Sequence, residues 1–571
     1  MTVTSGPPTS LRIALEPQDA EHTARGSAPW RSQLLAAVGG AGLAFSFDPI
    51  GLAWLAPFAL TAFVTATGPR RQSWRRAGMA GFSFGAVFFA VHIWWLATSI
   101  SPAAWIAVSL TQGLWFAGLG ALVRLLWRQR MRVLSIPACW TAIELARSQW
   151  PFGGFPWGQL GFTSIGGPWA GTLPYVGVEG TSFLIALAGT AGAAAWAART
   201  TPKWPRMGRI AALASIVCAA PVGAVLFPYS VSADGTLRIA AVQGGIPGGS
   251  TDVMARHRQI TRAHAAATVK MSDRIRAGDQ EAVDLLVWPE SSVIVDPTTD
   301  EVARRQVERA VAASDAPILL GAIVDGPSEG TALNQGLVWS IDGPSDERYT
   351  KRHPVPFGEY IPFRPWLSGF SPRFDEIPRD MLPGEPTPPL NVTTDQGRLL
   401  VASAICFDVA FTDVLVDQVR AGAHLAVIQS SNAAFTGSSQ PEQQFTISRA
   451  RALETGRAVV VASLNGVSGI VFPDGTVRTR SQSPDTQALT STVPLVTALT
   501  PAVRFAGARN SMIAVIAVAA SSAAFGRSVR RRTRRFLMVT SPGWGSCGAD
   551  SAERNSSQGA LNSASRTDTI Y

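Results

Sequence analysis

Lysine is close to absent from this chain: 3 of its 571 residues are Lys, against 46 Arg. Charge of either sign is sparse. Asp, Glu, Lys and Arg together make up 15% of residues, against about 25% in an ordinary soluble protein. With 47% hydrophobic residues and a mean hydropathy of +0.17, a single soluble globule is excluded. Cysteine is scarce too. The 4 present, Cys139, Cys218, Cys406 and Cys547, are too few and too scattered for a disulfide framework. Cys139 and Cys218 lie in apolar runs and Cys547 in a polar tail, and the chain has neither a CxxC pair nor a Cys/His cluster at metal spacing. Structural zinc is therefore not expected, and neither a metal nor any other cofactor is implied.

A formal charge of +10 invites a nucleic-acid reading, which the location of the surplus removes. Seventeen of the 49 Lys/Arg fall in four acid-free stretches, 69–76, 128–132, 199–209 and 527–535. Elsewhere 32 Lys/Arg face 39 Asp/Glu. Each basic stretch abuts an apolar run, so membrane topology explains the charge and no nucleic-acid partner is expected.

Seven long apolar stretches precede residue 229, near 33–49, 51–68, 77–99, 103–127, 133–148, 170–198 and 209–228. Each is close to the ~20 residues that cross a hydrocarbon core. One such stretch reads equally well as a buried soluble helix, or as a signal peptide if it comes first. Seven in series do not, and the N-terminus lacks the basic region, short apolar run and small-residue cleavage site of a secretory signal. Short Lys/Arg-rich loops stay cytoplasmic. The connections 69–76, 128–132 and 199–209 fall on one side, and those around Asp48, 99–102 and 148–169 carry no Lys or Arg. An eighth, weaker run at 510–526 is followed by six arginines, the expected cytoplasmic stop.

The expected organisation is a disordered cytoplasmic N-terminus (1–29), a seven-span membrane domain (30–228), an extracytoplasmic domain (229–500), a C-terminal span (501–526) and a basic, then polar, disordered cytoplasmic tail (527–571). The outer connection 148–169 carries Trp150, Phe152, Phe155, Trp157, Phe162 and Trp169 without charge. It reads as an aromatic belt anchoring the chain at the bilayer interface, or as the lipid-facing wall of a site that opens sideways into the membrane, with Trp150, Phe155 and Trp157 toward substrate or lipid.

From 229 onward short β-rich runs alternate with helical patterns. The expected strands are 236–243, 284–288, 317–324, 335–341, 398–405, 424–430, 457–463 and 468–472; the expected helices are 251–277, 300–314, 411–421 and 441–455. This alternation predicts an α/β domain, which carries its chemistry beyond the carboxyl ends of its strands. Three reactive side chains lie at such ends: Glu290 closing LLVWPE, Lys351 in YTKRHPVPFGEY and Cys406 closing LLVASAIC. Taken singly, each has an inert reading. A strand-end cysteine is usually core, and a glutamate after proline is usually solvated. Lysine scarcity favours function at Lys351, because a chain whose default cation is Arg keeps Lys where a compact, rotatable ammonium is needed. Together the three types suit acyl transfer through a thioester. The thiolate attacks, a carboxylate carries protons, and the ammonium stabilises thiolate and oxyanion.

The segments WPES (288–291), YTKRHPVPFGEYIPF (349–363), AICFD (404–408), SN (431–432) and RALETGRAVVVASLNGVSGIV (451–471) resemble the nitrilase superfamily. A nitrilase-like domain between seven spans and one, with ELARSQWPFGGFPWGQLG (144–161), resembles the apolipoprotein N-acyltransferases of bacteria over about residues 30–526. The implied fold is an α-helical polytopic membrane domain plus an α/β nitrilase-like α-β-β-α sandwich. The implied reaction is a ping-pong transfer of an acyl chain from a phospholipid to the α-amine of an S-diacylglyceryl cysteine at a lipoprotein N-terminus. By position, Cys406 is the implied nucleophile, Glu290 the general base and acid, Lys351 the oxyanion and thiolate stabiliser, and Glu359 the residue that orients Lys351 or the amine. Phe407, Asp408 and Asn432 are implied supporting residues. The family commonly has Cys-Tyr-Glu where this chain has Cys406-Phe407-Asp408. Its Asp-Ala-Trp-Phe run is replaced by Ala433-Ala434-Phe435-Thr436, and a tryptophan is absent from 244–252. These departures bear on acyl and lipoprotein preference more than on activity. The expected setting is the bacterial cytoplasmic membrane, multi-pass, with the chain acting as a monomer. The rival readings are a membrane-tethered nitrilase-type amidase acting on small extracellular amides and a catalytically silent lipoprotein-binding scaffold.

Overall fold

The computed structural model of the chain describes residues 29–68, 72–198, 219–247, 253–367, 369, 374, 377–482 and 486–540. The expected disordered ends at 1–28 and 541–571, the basic loop 199–209 and the first half of the apolar run 209–228 lie outside the described residues. The chain divides after Ala524, and every contact below lies before that point.

The N-terminal part is helical because it offers long apolar runs with few competing polar groups. Its helices are α1 (Pro29–Ala44), α2 (Leu55–Thr67), α3 (Trp74–His92), α4 (Trp95–Ser99), α5 (Pro102–Leu126), α6 (Arg132–Arg147) and α7 (Leu173–Ala198). Sequence signals set several starts. Ser73 and Ser101 accept from the backbone N–H of Arg76 and Ala104 at 3.3 and 3.1 Å, and Pro102 occupies the first turn of α5, where its missing N–H costs nothing. Small residues let the helices close on one another: a Cβ on Gly81 would meet the Phe116 carbonyl of α5 at 2.1 Å, the close backbone approach typical of membrane helix pairs. Phe63, Phe84, Phe116 and Trp140 fill the middle, largely edge to face.

Among the described residues three helices are long and apolar enough to cross a membrane, Pro102–Leu126, Ala170–Ala198 and Ala506–Arg530. The run 77–99, expected as one span, is divided between α3 and α4. α2 has 13 residues and rises about 20 Å, short of the ~30 Å hydrocarbon core.

The second half contains β1 (Gly235–Gln243), β2 (Leu285–Val287), β3 (Ile318–Asp325), β4 (Thr331–Ser340), β5 (Gly343–Thr350), β6 (Asp380–Met381), β7 (Leu390–Thr394), β8 (Gly397–Ile405), β9 (Leu425–Ser430), β10 (Val459–Ser463), β11 (Gly469–Val471), β12 (Val477–Arg480) and β13 (Gln487–Leu495). One sheet runs β13-β1-β2-β3-β4-β5, with β6 on β4; the other runs β12-β11-β10-β9-β8-β7. Each has a parallel centre, β1-β2-β3 and β8-β9-β10, flanked by antiparallel strands. Strand residues alternate between two cores with the period-2 pleat. Leu237, Ile239, Leu285 and Val287 face the second sheet, whereas Ala240, Val242, Leu286 and Trp288 pack against α8 (His257–Arg276) and α9 (Glu301–Ser314). Helices α10 (Thr412–Arg420) and α11 (Gln440–Thr455) cover the second sheet. This is the α-β-β-α sandwich. Its inner core is continuous with that of the N-terminal helices, one cluster running from Ala36 to Ala524.

The expected strands did not include β5, β6, β7, β12 or β13. Of these, β5 and β7 are at or near an open side of their sheets, β6 has two residues, and β13 reads QALTSTVPL. A strand covered on one face or one edge needs few apolar residues, so the pattern is weak. The last helix, α12 (Ala506–Thr540), continues past the expected boundary at 526. Arginine is a good helix former, and the next proline is Pro542.

Candidate active site

Glu290 follows β2, Lys351 follows β5 and Cys406 follows β8, all at carboxyl ends. Gln429 of β9, in register with Ile405, donates across the sheets to the Trp288 carbonyl at 2.7 Å, which ties these ends together at one rim of the sandwich. Lys351, only 1% exposed, donates from Nζ to Oε1 of Glu290 at 3.0 Å and to Oε1 of Glu359 at 2.9 Å. The remaining carboxylate oxygens are also held: Glu290 Oε2 accepts from Ser431 N at 2.8 Å, and Glu359 Oε2 from Val355 N at 2.7 Å. Gly321 of β3 makes room for Glu290, since a Cβ there would lie 2.4 Å from the Pro289 carbonyl and 2.7 Å from Glu290 Cα.

Cys406 opens a turn at φ 53°, left-handed backbone that costs energy in a non-glycine residue. Three anchors hold the turn. The first is Asp408, fully buried, whose carboxylate accepts from Tyr349 OH at 2.7 Å and from the backbone N–H of His353 at 2.9 Å and Ile405 at 3.2 Å. The second is Arg451 of α11. It donates to the carbonyls of Val409 and Ala410 at 2.9 and 2.8 Å and is ion-paired with Glu454. The third is Gln444 of α11, whose Nε2 donates to Cys406 Sγ at 3.5 Å. Gln444 in turn accepts at Oε1 from Asn432 Nδ2 at 2.7 Å.

Burial acts on these groups in opposite senses. It would push the Lys351 ammonium down, but Glu290 and then Glu359 hold it well above the ordinary lysine value. Burial, and then the Glu290 carboxylate, push the Cys406 thiol well up; Lys351 opposes them. The resting site is therefore a thiol beside an ammonium flanked by two carboxylates. Such a set can move a proton off sulfur as the sulfur attacks and stabilise the charge that develops.

The membrane half meets this site through aromatic rings. Phe407 stacks on Trp157 with centroids 6.3 Å apart and lies 6.2 Å from Phe155. Trp157, expected to face substrate or lipid, is buried at 2% exposure. Its indole N–H donates to Gln443 Oε1 at 2.8 Å, an oxygen that also accepts from Trp95 Nε1 at 3.0 Å. A buried indole N–H needs such a partner, and α11 supplies it. Phe162 and Trp169 are buried as well, whereas Trp150 and Phe152, at the tip of 148–169, are exposed. Phe155 is half-buried, and Arg147 fastens its carbonyl at 2.7 Å.

Sequence reasoning missed Asn334, Gln443 and Gln444. Asn334 on β4 donates to both Glu290 and Glu359, at 2.8 and 3.2 Å. The available signals were two adjacent amides, Asn334 and Gln335, in an otherwise largely apolar strand and a Gln-Gln pair in the first turns of α11; buried amides need partners. Among the described residues no His/Cys/Asp/Glu group is placed to hold a metal.

Comparison with known proteins gives the arrangement a lineage. Residues 39–191 match the apolipoprotein N-acyltransferase N-terminal domain and residues 238–500 match the carbon-nitrogen hydrolase domain. The apolipoprotein N-acyltransferase of Mycolicibacterium smegmatis is 30% identical over 543 residues, covering 89% of this chain and 88% of its own. That of Shewanella oneidensis is 28% identical over 505 residues, covering 82% and 90%. Among solved structures, Saccharomyces cerevisiae Nit3, a member of branch 10 of the nitrilase superfamily, matches at 17% identity over 48% of this chain and 97% of its own, with a TM-score of 0.34. With both domain matches in order along one polypeptide, and a relative alike over nearly its whole length, the chain belongs to the apolipoprotein N-acyltransferase family.

Proposed function

We propose that this membrane protein N-acylates lipoproteins, with a phospholipid as acyl donor and Cys406 as the carrier. In the first half-reaction Sγ attacks the ester carbonyl carbon. The S–C bond forms, the ester C–O bond breaks, and the thiol proton passes through Glu290 to the departing lysophospholipid oxygen. In the second, the α-amine of the lipoprotein's terminal cysteine attacks the thioester. The C–S bond breaks, and Glu290 carries the amine proton back to sulfur. Lys351 stabilises the oxyanion and the thiolate; Glu359 and Asn334 hold it in place.

The observation that carries this reading is the buried Glu290–Lys351–Glu359 array beside Cys406, with Phe407 stacked against Trp157 of the membrane half. A ring wall between thiol and membrane suits a lipid substrate, and excluding water there protects the thioester from hydrolysis. The arginine-rich loops support a sandwich on the extracytoplasmic side, and this reading has the chain multi-pass in the cytoplasmic membrane and active as a monomer. The test supplies purified protein with a radiolabelled phospholipid and a diacylglyceryl peptide. The intact chain forms an acyl-enzyme and acylates the peptide, and Cys406→Ala does neither. Acyl transfer by Cys406→Ala, or turnover of small amides in place of the lipid, overturns the reading.

A further inference from the structure

Gln444 is the only side chain that the described residues place in hydrogen-bond contact with Cys406 Sγ, and its amide nitrogen faces the sulfur. Oε1 is taken by Asn432 Nδ2 at 2.7 Å, so Nε2 points at Sγ, 3.5 Å away. Asn432 is itself constrained. It is buried, its backbone is left-handed at φ 54°, and Nδ2 reaches Ser463 Oγ at 3.4 Å. A Cβ on Gly466 would lie 2.4 Å from that same nitrogen, so the asparagine amide is wedged toward Gln444. The charged groups acting on the thiol are Glu290, Lys351 and Glu359, and Lys351 is engaged by both carboxylates. The ammonium therefore reaches the sulfur's charge only partly neutralised.

We propose that Gln444 is a further catalytic residue, its amide N–H stabilising the Cys406 thiolate as it forms before attack and again as it leaves when the lipoprotein amine breaks the C–S bond. Neutral thiol sulfur is a weak acceptor and thiolate a strong one. The bond thus gains strength only as charge reaches sulfur, and this difference is what lowers a barrier. It also explains why a buried glutamine sits where an apolar side chain would pack more simply. The inference rests on the acyl-transfer reading above, in which Cys406 is the nucleophile.

The test is the pH dependence of Cys406 alkylation by iodoacetamide in the full-length protein in detergent, followed by mass spectrometry of the Cys406 peptide. Gln444→Met keeps the length and removes the donor. Its alkylation rate at about pH 8 is expected roughly tenfold or more below that of the parent chain, and acyl-enzyme formation is expected to slow roughly 10- to 100-fold at unchanged phospholipid KM. Gln444→Glu keeps the acceptor toward Asn432 and places an anion near sulfur, so it should slow alkylation further. It decides the matter if the methionine variant does not fold. A folded variant with the parent's alkylation profile overturns the proposal and makes Gln444 a packing residue. Because alkylation needs no substrate, this outcome is distinct from failure of the acyl-transfer reading, which appears as normal turnover by Cys406→Ala.

Discussion

Replacing Lys351 by methionine tests the electrostatics of the site most directly. The ammonium is 1% exposed and lies 3.0 and 2.9 Å from Glu290 and Glu359; Asn334 donates to the same two carboxylates. Methionine fills the space but leaves two anions facing each other across one amide. Removing one member of a buried ion pair costs about 3–5 kcal/mol, which for a domain of this size lowers Tm by roughly 6–20 °C. The pH dependence distinguishes this from a packing defect. In the parent chain Lys351 is held above the ordinary lysine value. Its contribution is therefore complete below that value, is lost only as pH rises beyond it, and is flat between about pH 5 and 8. In Lys351→Met, acid relieves the repulsion by protonating one carboxylate, so the deficit shrinks as pH falls toward 5. A second change, Glu359→Gln, removes one anion and should restore a large part of the lost stability at about pH 7.5. Thermal unfolding of purified protein across this range measures both effects. A deficit that does not vary with pH, or no recovery in the double variant, would refute the assignment of Lys351 as the cation that holds the two glutamates together.

Two further outcomes are expected. Glu290→Gln removes a charge that raises the Cys406 thiol, so iodoacetamide should label Cys406 about tenfold faster at about pH 8 while acyl transfer falls; slower labelling would contradict the placement of Glu290. Gln443→Leu strands the indole N–H groups of Trp95 and Trp157, now at 3.0 and 2.8 Å from one oxygen. At about 1–3 kcal/mol for each unsatisfied buried donor, a clear loss of Tm is expected, measurable by the same unfolding experiment.

Much of the fold was legible because its signals are local. The central strands β1, β2, β3, β8, β9 and β10 are apolar runs, buried on both faces, and all coincide with expected segments, as do α9, α10 and α11. The edge strand β5, GPSDERYT, was not legible, since only Tyr349 among its residues is buried and its existence depends on β4. Glu290 and Cys406 were legible for a related reason: each closes an apolar run, and α/β folds gather such ends, whereas Lys351, which follows β5, stood out through the scarcity of lysine.

The sequence alone determined that the chain is a membrane helical bundle joined to an α/β sandwich, because hydropathy over ~20 residues and strand alternation are properties of neighbours along the chain. Only the tertiary structure decided that two carboxylates would share one ammonium and the Asn334 amide, that Gln444 would turn its N–H to sulfur, and that Trp157 would be buried on Phe407. Those contacts join residues tens to hundreds of positions apart. Burial removes water as a competing partner, so each buried donor must find an acceptor wherever packing brings one.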